Sequence, residues 1–285
     1  MREGKTLKYL IAVMIYGTIG YFLHFINCAS EFVVMCRGFI GSLFILFVMI
    51  IKKDYPDISS IKKNFLMLAL SGIALGSNWI FLFAGYRYAI SITSLLNYLA
   101  PIIVVVISAL FYKNKMSNKQ IVYILMAVVG IVLISGIVEG ESNFDYHCFV
   151  YGLLAAIGFV ILVLCNRNIH DIKPLDKTVV QLFFSFLTVL PVVIFRNLIP
   201  TSLDGDSIRI LVMMGVVHTG IAYILYFGSI DTLPLNTVAI LGYIEPVMSI
   251  VIGVVVFNET LTVVNGIGAL LILVSALLNE IKSKS

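Results

Sequence analysis

The chain is a succession of apolar runs separated by short polar connections. A helix needs about 20 mostly apolar residues to cross the hydrocarbon core of a bilayer. Ten runs meet that requirement: Leu7–Phe25, Phe32–Ile51, Phe65–Tyr86, Ile92–Phe111, Gln120–Ile137, Phe149–Cys165, Thr178–Phe195, Ile208–Ile230, Leu233–Phe257 and Thr262–Ile281. The connections hold most of the Lys, Asp, Asn and Pro, and none is long enough for a soluble domain. The pattern predicts an all-α polytopic membrane protein with ten transmembrane helices. The ninth run breaks the pattern, because it carries Glu245 near its midpoint and Pro246 directly after it. A charge at membrane depth is expensive, and a proline there frees a backbone carbonyl.

Charge fixes a predicted orientation. With the N-terminus inside, fifteen of the nineteen Lys and Arg fall on the inner side, three (Arg87, Arg196 and Arg209) fall outside, and Arg37 lies within a span. Basic residues concentrate on the cytoplasmic side of membrane proteins, so both termini are expected to be cytoplasmic in a multi-pass protein of the cell membrane. The loss of one span would flip half the loops and destroy the bias. The charge pattern therefore also checks the count of ten.

The chain repeats itself at an offset of 145 residues. Tyr98-Leu-Ala-Pro101 aligns with Tyr243-Ile-Glu-Pro246, and Phe111–Ser117 aligns with Val256–Thr262. The expected halves are residues 1–138 and 148–285, joined by an external hinge at 139–147. Five spans per half is an odd number, so the second half is expected to be inverted relative to the first. Inverted repeats place a substrate site near the midplane where the repeats meet, which makes a secondary transporter with a central cavity the leading expectation.

Ten spans in two inverted halves, with Asn97-Tyr98-Leu-Ala-Pro101 in span four and Tyr243-Ile-Glu-Pro246 in span nine, resemble the drug/metabolite transporter superfamily of the EamA type. Tyr16-Gly17-Thr-Ile-Gly20, Arg37-Gly38 and Asn78-Trp79 are further matching pieces. The resemblance covers the whole chain. It implies a basket of helices around a central cavity, with the fifth and tenth helices more peripheral. It leaves the substrate open, since relatives move amino acids, amines and other metabolites.

Polar and aromatic residues inside the spans are the candidate site. Glu245 shares a helical face with Val238, Gly242, Ser249 and Gly253, a small and polar stripe that lipid would not select. It is the candidate cation-binding or proton-coupling carboxylate; the alternative is a protonated glutamate that only locks packing. Arg37 is a candidate partner for a substrate carboxylate or a gate; the alternative is a structural pairing with Glu31 or with backbone carbonyls. Asn78 and Asn97 read as cavity lining or as interhelical braces. Trp79, Tyr98, Tyr243, Tyr21 and Tyr223 could present aromatic faces to a cation or a flat ring. His218 is a proton relay or a packing residue, His24 forms a similar stripe with Tyr21 and Gly17 nearer the outside, and Gln181, close to the inner end of span seven, could equally face the interface. Pro101 and Pro246 should free the carbonyls of Asn97 and Gly242 and act as hinge points. A zwitterion would suit Arg37 and Glu245 together, although no sequence feature places them side by side.

Composition narrows the field. The chain is 60% hydrophobic and 12% charged, with a mean hydropathy of +1.06. Soluble domains carry roughly 25% charged residues. The formal charge of +4 is scattered over short loops without interleaved aromatics, so nucleic acid is an unexpected partner. Cys28, Cys36, Cys148 and Cys165 fit neither a zinc site nor a disulfide framework, although a Cys28–Cys148 bridge is geometrically conceivable. The first run lacks a signal-peptide cleavage pattern and is expected to be retained. No phosphate-binding loop, metalloprotease motif or nucleophile motif is present, so no enzyme, cofactor or metal is expected. The expected partners are a small-molecule substrate, membrane lipids and, in a coupled mechanism, protons, with a monomer or weak dimer as the simplest assembly. The competing readings are a choline or quaternary-amine importer and, from another class, a lipid-linked-intermediate flippase subunit or a non-transporting scaffold.

Overall fold

The computed structural model describes residues 2–111, 117–134, 145–230 and 233–282. Every regular element among these residues is helical. Seven helices are long and apolar enough to cross a membrane: Gly4–His24, Ser30–Ile51, Phe65–Tyr86, Ile90–Ile107, Tyr146–Asn166, Pro174–Phe195 and Gly205–Ser229. Three shorter apolar helices, Asn118–Ile134, Ile240–Val256 and Val263–Asn279, bring the apolar segments to ten. They coincide in order with the ten expected runs and are numbered span 1 to span 10 along the chain. Most of the expected hinge at 139–147 lies outside the described residues, as do most of 111–117 and the expected end of span 5 at 135–137. Large apolar side chains such as Phe47, Leu66, Phe195 and Leu270 are exposed. That surface suits lipid, where every backbone polar group must be satisfied within a helix.

Four spans are interrupted, and the interruptions position the site. Span 4 stops at Asn97 and restarts at Ala100, while span 9 stops at Gly242 and restarts at Ile244. Pro101 and Pro246 sit in the first turn of the restarted helices, where a missing N–H costs nothing. Span 1 breaks at Thr18, whose hydroxyl donates back to the carbonyl of Ile15 at 2.8 Å. Span 8 widens to a π-helix over Val216–Ile221, and span 9 does so over Ile252–Val256. Wide turns of this kind often mark functional sites.

The main packing contacts run between spans 3 and 6, 1 and 8, 3 and 7, 2 and 8, 4 and 6, and 1 and 9, together with 2 and 7, 4 and 9, and 5 and 10. Exchanging each span of the first half for its counterpart five spans later maps these contacts onto themselves. The packing therefore has a two-fold character. It shows most plainly where counterparts touch. A Cβ on Gly130 of span 5 would lie 2.8 Å from the Gly268 carbonyl, and a Cβ on Gly268 of span 10 would lie 2.8 Å from the Gly130 carbonyl. Backbones approach that closely only where both residues are glycine.

The connections between spans 2 and 3 and between spans 6 and 7 are tied to each other. Asn64 donates to the His170 carbonyl at 2.8 Å and accepts from the His170 amide at 3.2 Å. Lys63 pairs with Asp171 and Lys173 with Asp54, both pairs exposed and worth little individually. Asp57 caps the short helix Ile58–Lys63, and the Ser60 hydroxyl and amide together with the Ser59 amide hold its carboxyl below the usual carboxylate range. Glu31 approaches Arg196 at 3.5 Å rather than Arg37, whose guanidinium is turned into the bundle, and all four cysteines are free, as their spacing suggests.

Candidate functional site

The breaks in spans 4 and 9 face each other. The Tyr98 and Tyr243 rings, which are counterparts in the repeat, lie 5.7 Å apart at 54°. The Tyr98 hydroxyl donates to the Gly242 carbonyl at 3.4 Å, so one of the two carbonyls expected to be freed by the prolines has found a donor. The Glu245 carboxylate lies in the neighbourhood of the same hydroxyl. Glu245 occupies the first turn of the restarted helix Ile244–Val251, where the helix dipole favours negative charge. It is only partly buried, whereas Pro246 and Ser249 beside it are buried. Gly17, just before the break in span 1, packs against Met248 and the Glu245 carbonyl.

Arg37 enters from span 2 and is 2% exposed. Its Nε donates to the Thr219 hydroxyl at 2.7 Å and its Nη2 to the His218 carbonyl at 3.3 Å. Both acceptors lie in the π-helical turn of span 8, where the Thr219 hydroxyl also donates to the Met214 carbonyl at 3.0 Å. The guanidinium stacks 4.1 Å from the centroid of the Trp79 ring. Its third nitrogen, Nη1, is buried and meets no acceptor among the described residues. Arg37 lies close enough to Glu245 to interact with it electrostatically, and Tyr16, Tyr86 and Tyr223 lie in the same field. The Tyr16 hydroxyl is also without a partner among the described residues. The structure thus brings together a cation and an anion that the sequence leaves 208 positions apart, with four tyrosines around them.

Other candidates take up bracing positions. Asn78 donates to the Asn97 side chain at 2.9 Å and to the Ala155 carbonyl at 2.8 Å, joining spans 3, 4 and 6. The His218 Nε2 lies 3.1 Å from the Thr18 hydroxyl, at the break in span 1, and its Nδ1 is buried without a partner among the described residues. Gln181, the counterpart of Arg37 by packing, bonds Ser71 at 2.7 Å and Asn166 at 2.6 Å. Tyr21 stays apart from the cluster. It packs against Phe22 and Phe25 and lines a groove of about 280 Å³ with Arg209 and Met213 at one end of the bundle. His24 packs against Phe257 with ring centroids 4.1 Å apart at 39°, at the same end of the bundle. Trp79 offers no open face on the side that Arg37 covers.

Thr18, Tyr86 and Thr219 belong to this arrangement and were not singled out from the sequence, and Tyr16 entered there only as part of a motif. Neutral hydroxyls in an apolar run carry no cost signal of the kind that betrays Glu245. Only the neighbour of Thr219, His218, drew notice.

Ten apolar helices that enclose a buried Arg37 and carry a partly buried Glu245 at a helix break fit a membrane transport protein rather than a simple anchor. The chain belongs to the EamA-like transporter family, whose model matches it twice, at residues 6–136 and 148–280, and with it to the drug/metabolite transporter superfamily. "Uncharacterized transporter YxxF" of Bacillus subtilis is 27% identical over 89% of this chain and 82% of its own length. An "Uncharacterized transporter" of Archaeoglobus fulgidus is 23% identical over 98% of this chain and 96% of its own. Protein PecM of Dickeya dadantii is 24% identical over 79% of this chain and 75% of its own. A solved crystal structure of a protein superposes with a TM-score of 0.63 over 100% of both chains at 17% identity, a likeness of fold.

Proposed function

We propose that this protein is a secondary transporter that moves a small organic zwitterion, such as an amino acid, by alternating access between two inverted five-helix halves. The observation that supports the reading is a buried Arg37 held at the wide turn of span 8, with one nitrogen unfilled and within the electrostatic field of Glu245 at the break of span 9. A substrate carboxylate suits the unfilled Nη1 of Arg37, and a substrate ammonium suits Glu245. Two opposite charges in a membrane interior are costly, and such residues usually mark a substrate or ion path. The two-fold character of the packing supports alternating access, in which inverted repeats exchange roles around a central site. Coupling to protons, where it exists, belongs to Glu245. Both termini are placed in the cytoplasm, and the two halves are residues 1–138 and 148–285.

The test is a stability screen of the purified protein in detergent against amino acids, polyamines and choline, followed by flux measurements on the hits in proteoliposomes. Stabilisation by amino acids with matching flux is expected. Choline active and amino acids inactive would reject the zwitterion reading in favour of a quaternary-amine site. Arg37 already covers one face of Trp79, which works against such an aromatic cage.

A further inference from the structure

Span 4 begins with Ile90 after Ala89, a residue whose side chain cannot cap a helix. The amides of Ile90 and Ser91 would be orphans at that end. Both are instead capped from the other half of the chain. The Glu259 carboxylate accepts from the Ile90 N–H at 2.5 Å and from the Ser91 N–H at 3.0 Å. Glu259 is itself anchored, since its amide donates to the Gly253 carbonyl at 2.9 Å across the end of span 9. Gly253 permits the approach: a Cβ there would sit 2.4 Å from the Ser91 hydroxyl and 2.5 Å from the Glu259 carboxylate. Span 1 closes the same region, with Gly20 against Ile90 and His24 against Phe257. Towards the opposite end, the Tyr9 hydroxyl donates to the Val238 carbonyl at 3.1 Å.

We propose that Glu259 is the latch of the outer gate: its carboxylate clamps the end of span 9 to the start of span 4, and its release admits solvent between those spans. A carboxylate on two amides at a helix N-terminus is a strong, directional fastening, because charge assistance and the helix dipole act together. It is also reversible, since it joins elements 168 residues apart through two hydrogen bonds and no covalent link. The latch goes beyond the assignment of substrate and rests only on the motion of spans 4 and 9 in the proposed cycle. It does not depend on which molecule is carried.

The reporter is Ser94→Cys. Ser94 is 2% exposed, one turn below the latch in span 4, where its hydroxyl meets that of Tyr86. The protein is reconstituted and treated with a membrane-impermeant maleimide on one face or the other, and labelling at position 94 is read by peptide mass spectrometry, which separates it from the native cysteines. Adding Glu259→Gln should raise the labelling rate about tenfold or more, the loss expected when charge-assisted bonds become neutral ones. Adding Glu259→Asp should keep most of the protection. The face from which label arrives reports the orientation of the chain separately. Where Glu259→Gln fails to fold, Gly253→Ala carries the same prediction, since its methyl forces Ser91 and Glu259 apart. A folded Glu259→Gln or Gly253→Ala protein whose labelling matches the parent from both faces overturns the latch and leaves Glu259 a static cap.

Discussion

Arg37 commits two of its nitrogens to span 8 and its flat face to Trp79 of span 3. A lysine can reproduce the charge but neither the fork nor the stack. Arg37→Lys is therefore expected to lower the unfolding free energy by about 1–3 kcal/mol, in the range of lost hydrogen bonds to a charged group. Thermal unfolding in detergent measures it, and an unchanged melting temperature would show that the fork is dispensable. The presence of Arg37 and Glu245 was legible in the sequence because charges in apolar runs stand out. Their proximity was not, because it is made by folding one half of the chain against the other. Of the two structural partners open to Arg37, Glu31 and backbone carbonyls, the structure shows the second, in the His218 carbonyl, together with the Thr219 hydroxyl, 181 and 182 residues away.

Among the elements, the breaks in spans 4 and 9 were readable from Pro101 and Pro246, since a proline forbids the preceding helical bond. The break at Thr18 and the wide turns of spans 8 and 9 carry no proline and gave no such sign. The short helix Ile58–Lys63 was not anticipated within the connection between spans 2 and 3, and it rests on its Asp57 cap. The Asp57 carboxyl titrates lower in the folded chain than its ordinary value. Its stabilisation is accordingly complete above the ordinary carboxylate value and is lost as the pH falls through the folded value. Asp57→Ala should speed amide exchange at Ser59 and Ser60 at neutral pH, and the difference from the parent should shrink at acid pH. An exchange difference that grows on acidification would contradict the cap.

For the whole molecule, the ten-span plan was legible because bilayer thickness dictates run length and because basic residues sort by side. The repeat was legible through its constant offset, and the structure added the exchange of packing partners between halves. The contact of spans 5 and 10 is the simplest piece of that exchange and lies away from the charged cluster. Gly130→Val should lower stability by about 1–3 kcal/mol through overpacking against the Gly268 backbone. It should leave the thermal shift given by bound substrate unaltered, as ligand titrations of the variant would show; a lost shift would bring spans 5 and 10 into the binding site. In the proposed cycle transport turns on Glu245, the carboxylate that stands where the first half has Ala100. The most direct measurement is flux of the screened substrate into proteoliposomes by wild type and by Glu245→Gln, each under a series of imposed pH gradients. The account predicts a folded variant with transport abolished or freed from the gradient. Wild-type rates in Glu245→Gln at every gradient would contradict it.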